Sequence, residues 1–111
     1  MPANPHRGEV AAILGGSERR LCLTLGALAE LEHAFRADDL GQLVARFSTG
    51  KLSATDMIRV IGAGLRGAGE TIADEEVARL DCESGAAGYA RIVSDLLTAT
   101  FGGGGEAAPN P

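Results

Sequence analysis

Apolar residues recur with two periods along this chain, and the change of period divides it. From Glu9 the pattern alternates: Val10, Ala12 and Leu14 share one side, and after Gly15-Gly16-Ser17-Glu18 so do Leu21 and Leu23. Alternation on both sides of a glycine-containing loop predicts a β-hairpin over residues 9–24. Ala12 then faces Leu21 and Val10 faces Leu23, while Ile13 lies opposite Arg20 and Glu9 opposite Thr24. A lone hairpin is marginal in water, so this one is expected to lie on the helices that follow.

Beyond residue 24 the period becomes that of a helix. Leu25, Leu28, Leu31 and Phe35 form one stripe, with Thr24 as its cap and Glu30, His33 and Arg36 turned outward. Leu40, Leu43, Val44 and Phe47 form a second stripe after Asp38 or Asp39. A third helix starts with the strongest local signal in the chain: Ser53 can cap it, Asp56 can complete a capping box, and Leu52 can staple onto Met57. Its stripe is Met57, Ile58, Ile61 and Leu65, with Arg59 and Arg66 on the opposite side, the arrangement of a surface helix. Ile72 to Val77 repeats the staple, and Asp74, Glu75 and Glu76 suit the positive end of another helix. Tyr89, Ile92, Val93, Leu96 and Leu97, continuing toward Phe101, give the last and clearest helical period.

The run Gly62-Ala63-Gly64-Leu65-Arg66-Gly67-Ala68-Gly69 contains the spacing G-x-G-x-x-G. A dinucleotide site needs a strand before those glycines and a helix after them, so that the helix N-terminus meets the pyrophosphate. Here a helix precedes them. Gly62 and Gly64 are therefore read as places where another element packs closely, and Gly67 and Gly69 as helix termination. A nucleotide-binding enzyme using Gly62, Gly64 and Gly67 stays as a remote alternative.

Taken together, these elements predict an α+β, mostly helical domain: an N-terminal hairpin packed on about five short helices over residues 9–101. Residues 1–8, with Pro2 and Pro5, read as a flexible arm, and 102–111, with Gly102 to Gly105 and two prolines, as a flexible tail. With 111 residues, no Trp, one Tyr and three Phe, the core must be built mainly from Leu, Ile, Val and Ala. A net charge of −5 with a single Lys leaves no basic patch for nucleic acid or a membrane surface, so neither is expected as a direct partner. No segment reads as a membrane span or a signal peptide, which points to a cytosolic origin.

Candidate chemistry changes this picture little. Cys22 and Cys82 lack zinc spacing and read as half-buried or buried thiols. His33 and His6 are too isolated for a metal site, and the carboxylates at 74–76 point in different directions around a helix. No serine stands in a nucleophile context. Neither a catalytic residue nor a cofactor or metal is expected: from physics alone this is a small acidic interaction module, not an enzyme.

Several segments, in order, carry a resemblance: Leu25 to Glu32 with Phe35, Asp39-Leu40, Arg46-Phe47, Gly50 to Ser53, Gly62 to Gly67 with Gly69, Gly85 to Tyr89, and Leu96-Leu97 through Thr100 to Gly102. Over residues 8 to 102 the chain resembles the small tail-gene protein of bacterial gene transfer agents, a phage-derived family grouped with tail assembly chaperones and sometimes labelled tail tube proteins. The resemblance implies a chaperone that binds the tape measure protein during tail assembly in the bacterial cytoplasm. The structural alternative is a tail tube or minor tail subunit that stays in the particle. Implied partners are the tape measure protein, other tail proteins and further copies of the chain. Expected contacts are an apolar groove of Leu28, Leu31, Phe35, Leu40, Leu43 and Phe47, with Arg59 and Arg66 at its rim. Chaperones of this class often have frameshifted long forms, and the glycine codons at 102–105 are where such a slip would fall.

Overall fold

The structure, a computed structural model, describes residues 8–102. The predicted arm before Gly8 and the tail glycines from Gly103 onward, with the frameshift expectation attached to them, lie outside the described residues. The elements are β1 (Glu9–Leu14), β2 (Ser17–Cys22), α1 (Leu25–Phe35), α2 (Leu40–Ser48), α3 (Ala54–Gly67), α4 (Asp74–Val77) and α5 (Gly85–Phe101). An N-terminal hairpin followed by five helices is the α+β, mostly helical architecture predicted from the periods.

The hairpin register corrects the sequence reading. Val10 lies opposite Leu21, Ala12 opposite Arg19, Ile13 opposite Glu18 and Glu9 opposite Cys22, two residues away from the expected pairing. Only Gly15 and Gly16 form the turn, and Ser17 and Glu18 belong to β2. Both glycines have positive φ, 63° and 82°, which a tight two-residue turn requires and side chains disfavour. Leu14 adds an isolated antiparallel bridge to Cys82, and the Gly15 N–H donates to the Asp81 carbonyl at 2.9 Å. The hairpin tip is thereby tied to the segment leading into α5.

Helix α3 is central rather than superficial, which corrects its predicted surface role. It packs against β2, α1, α4 and α5, and every residue from Val60 to Leu65 is buried. That stretch, Val-Ile-Gly-Ala-Gly-Leu, is uncharged, as a helix enclosed on most sides must be. Close packing at the glycines is as expected, and it extends to Gly67. A Cβ on Gly64 would stand 2.8 Å from Leu96 Cδ2 and 3.2 Å from Leu21 Cβ, and one on Gly67 would overlap the Cys22 carbonyl oxygen. Gly67 therefore ends the helix and also seats β2.

The core is one cluster running from Leu14 and Leu21 of the hairpin through Leu31, Leu43, Ile61 and Leu65 to Val93 and Leu96. Each such side chain stabilises the fold by about 1.5–3 kcal/mol, against about 0–1 kcal/mol for a surface ion pair, so apolar packing decides the architecture. Leu25 does not join it: it is 78% exposed. Around α1 it lies about 90° from the line through Leu28, Leu31 and Phe35, which explains why the predicted stripe begins one turn later.

The start of α3 forms the capping box read from the sequence. The Asp56 N–H donates to Ser53 Oγ at 3.1 Å, and the Ser53 N–H donates to Asp56 Oδ2 at 3.0 Å. Arg46 of α2 then donates to the same carboxylate at 2.9 Å. Burial would raise the Asp56 pKa, but the Ser53 hydrogen bonds and the Arg46 charge outweigh it and hold the carboxyl below its ordinary 3.8. The stability this site contributes is present above the unfolded-state pKa and lost as pH falls through the depressed folded value. Asp56→Asn is expected to cost about 2 kcal/mol at neutral pH. Urea unfolding across the acid range should show the gap from the wild-type chain closing below pH 3.8.

Candidate partner-binding site

The residues expected to line a groove separate into three groups. Leu28, Leu31 and Leu43 are buried in the core. Phe35 and Phe47 are half-buried and meet edge to face with centroids 5.4 Å apart, and the Arg46 guanidinium lies 5.4 Å over Phe35. Leu40 is 40% exposed on α2, one turn before Val44 at 38%. The first group joins α1 and α2 to the body, so no open groove runs through the whole set.

The two arginines are engaged within the fold. Arg59 donates to the Ala34 carbonyl at 3.3 Å, tying α3 to the end of α1. Arg66 is held from three sides: Nη1 donates to the Ile72 carbonyl at 2.9 Å and to Asp74 Oδ1 at 3.0 Å, and Nη2 donates to Glu30 Oε2. Burial works against its charge, but the Glu30 and Asp74 carboxylates outweigh that and raise its pKa further, so it is a permanent cation. The absent side chain at Gly62 leaves the space these groups share, because a Cβ there would run into Asp74 Oδ1 and stand 3.1 Å from Arg66 Nη1. The glycine segment thus holds a packed arginine instead of a phosphate.

An apolar trough lies on another side of α3, where the sequence reading placed nothing. Ala54, Met57, Ile58 and Ile61 present one stripe at helical spacing, and Ala86, Tyr89, Ala90, Val93 and Leu97 of α5 present another. Between them are two hollows. One, of about 280 Å³, is closed at the side by Val77 at the end of α4 and Ala78 just after it. The second, of about 410 Å³, is bounded by Phe47 of α2 and by Gly50 and Leu52 of the α2–α3 connection. Met57 lines both, so a flexible thioether side chain forms the partition. Neither hollow has a charged residue in its lining, although the chain carries 25 Asp, Glu, Lys and Arg in 111 residues (15 acidic plus 10 basic). Along α5 the lining runs from Ala86 to Thr98, about 18 Å at 1.5 Å per residue.

Tyr89 supplies the polar feature of the first hollow. Its hydroxyl donates to the Leu80 carbonyl, which satisfies it and fixes the ring against the wall. Burial, then Cys82 and Asp81, raise its pKa above the ordinary 10.0, so the phenol is neutral at physiological pH. Cys82 and Cys22 are half-buried. His33 is exposed. Among the described residues no three metal-ligating side chains come together, and no helix is long and apolar enough to cross a membrane. An uncharged, elongated and shallow site of this kind can hold an apolar helix face, a binding mode in which burial of apolar surface supplies the affinity.

Each wall of the trough is readable as a stripe, but its openness is not. The one residue of the expected groove set that lines it is Phe47. No curated protein and no solved structure matches the chain. A family model described as phage tail tube protein, GTA-gp10, matches residues 7–103, nearly the whole length. The chain therefore belongs to this tail protein family of gene transfer agents, as its ordered segments suggested.

Proposed function

We propose that the chain is a tail assembly chaperone, a non-enzymatic protein that holds helical segments of the tape measure protein before the tube forms around them. The observation that carries this reading is the uncharged trough between α3 and α5. Its two walls offer the side chains a helix would bury, at the spacing a helix presents, over a length of about three turns. Contacts are assigned to Met57, Tyr89, Ala90 and Leu97, with Phe47 at one end. Of the expected set, Leu28, Leu31, Phe35 and Leu43 hold α1 and α2 in place, Leu40 lies outside the trough, and Arg59 and Arg66 brace α3. Several copies along one tape measure would combine weak sites into firm retention.

Co-expression with the tape measure protein of the same gene cluster tests the reading: it should remain soluble and co-purify with this chain. A tape measure protein that stays soluble and unbound beside it would end the proposal. A structural role in the tail is the second reading, favoured by the family's description as a tail tube protein. Against it stands the two-stranded sheet, the sole sheet among the described residues, where a ring-forming tube subunit usually needs an extensive one. Mass spectrometry of purified particles separates the two, since a tube subunit is present in fixed, high copy number and a chaperone is absent.

A further inference from the structure

The two-residue turn fixes which backbone groups of β1 are used inside the hairpin. Leu14 and Ser17, on either side of Gly15-Gly16, exchange hydrogen bonds, and by alternation so do Ala12 with Arg19 and Val10 with Leu21. The N–H and C=O groups of Ala11 and Ile13 therefore point away from β2. Cys82 closes this outer edge at the Leu14 end, and further along Ala11 has no backbone partner among the described residues. Edges are normally blunted by charge, proline or a covering element, yet from Val10 to Leu14 β1 carries neither a charge nor a proline. A hollow of about 470 Å³ lies between this strand and α5, lined by Ala11 and Ile13 from one side and by Glu83, Ala87, Arg91 and Asp95 from the other. Ile13 is 57% exposed. Arg91 is 81% exposed and comes no closer than 3.8 Å to its own Asp95. Ala87, Arg91 and Asp95 recur every four residues, on the side of α5 opposite Tyr89, Val93 and Leu97 of the trough.

We propose that a second copy of the chain occupies this hollow, the two β1 strands pairing antiparallel, edge to edge, around Ala11 and joining two hairpins into a single sheet. Charge complementarity is what points to a second copy. A Cβ on Gly8 would stand 3.7 Å from the Ala99 carbonyl oxygen and Leu14 bridges to Cys82, so β1 runs antiparallel along α5, and Ala11, midway, lies at about the level of Arg91. A two-fold axis at that level sets Arg91 of each copy between Glu83 and Asp95 of the other, a cation between carboxylates, and covers both Ile13 side chains. The trough, on the opposite side of α5, stays open on each copy. The contact therefore needs no other protein and does not depend on the chaperone reading.

Sedimentation velocity of the full chain alone, at low salt and about 100 μM, provides the test and should show a dimer. Arg91→Asp makes the charges lining the hollow wholly acidic, and Asp95→Arg leaves two arginines against Glu83. Both positions are exposed, so each variant should melt at the wild-type temperature yet dimerise at least about tenfold more weakly than the wild-type chain. Mixing the two variants should restore dimers, and native mass spectrometry should find one copy of each in them. A wild-type chain that stays monomeric, variants that dimerise as the wild type does, or a mixture that stays monomeric would overturn the inference. None of these results bears on the chaperone reading, whose own test requires the tape measure protein.

Discussion

Gly67→Ala is expected to destabilise the protein by about 3 kcal/mol or more, lowering its melting temperature by about 12 °C. The added methyl would occupy the place of the Cys22 carbonyl oxygen. Both are backbone positions, so relief requires separating β2 from the end of α3 rather than turning a side chain. The neighbouring Gly62→Ala makes the useful contrast. There the obstructing atoms are the ends of the Asp74 and Arg66 side chains, which can swing aside. Alanine also improves helix propensity by about 1 kcal/mol, so the net change should be small. Circular-dichroism melts of the two variants decide the matter. Equal, slight shifts would show that the hairpin does not rest on the helix backbone.

Ala90→Glu should have the largest effect on partner binding while leaving the fold intact. Ala90 is exposed in the free protein and lines the larger hollow. In the free chain the carboxylate would stay in water, at little cost to stability. A helix seated in the trough would cover it without any basic residue in the lining to pair with it, and an unpaired buried charge costs several kcal/mol. A loss of at least about 100-fold in affinity for the tape measure protein, about 2.7 kcal/mol, is expected. Leu25→Glu, at a site that is 78% exposed and outside the trough, should change nothing. Equal binding by all three proteins would move the contact surface elsewhere on the molecule.

Local signals were legible in the sequence, whereas features made by distant segments were not. The capping box at Ser53 and Asp56 depends on side chains three residues apart, and the structure contains both of its hydrogen bonds. Hairpin register is different. A shift of two residues keeps Val10, Ala12 and Leu21 on one face, so alternation permits either pairing and the backbone at Gly15 and Gly16 decides. For Arg66, spacing along α3 indicated only that it leaves the apolar stripe. Its partners Glu30 and Asp74 come from α1 and the start of α4, which no helical period connects. The walls of the trough were likewise visible singly, in Met57 to Ile61 and in Tyr89 to Leu97. Whether a stripe is covered depends on how many elements remain to cover it. The hairpin and α1 are already engaged on other sides of α3, and the short α4 reaches only one end of the gap, so the gap beside α5 stays open.

Enclosure of α3 by four neighbours also has an evolutionary consequence. Along that helix a change suited to a new partner would disturb packing at the same time, so its part of the contact surface has little freedom to drift. On α5 the exposed positions facing the trough are Ala86, Ala90, Ser94 and Thr98, all small and none needed by the core. Adaptation to a diverging partner is therefore cheapest on α5, and lineages of this protein should differ there while the glycine-bearing helix holds still.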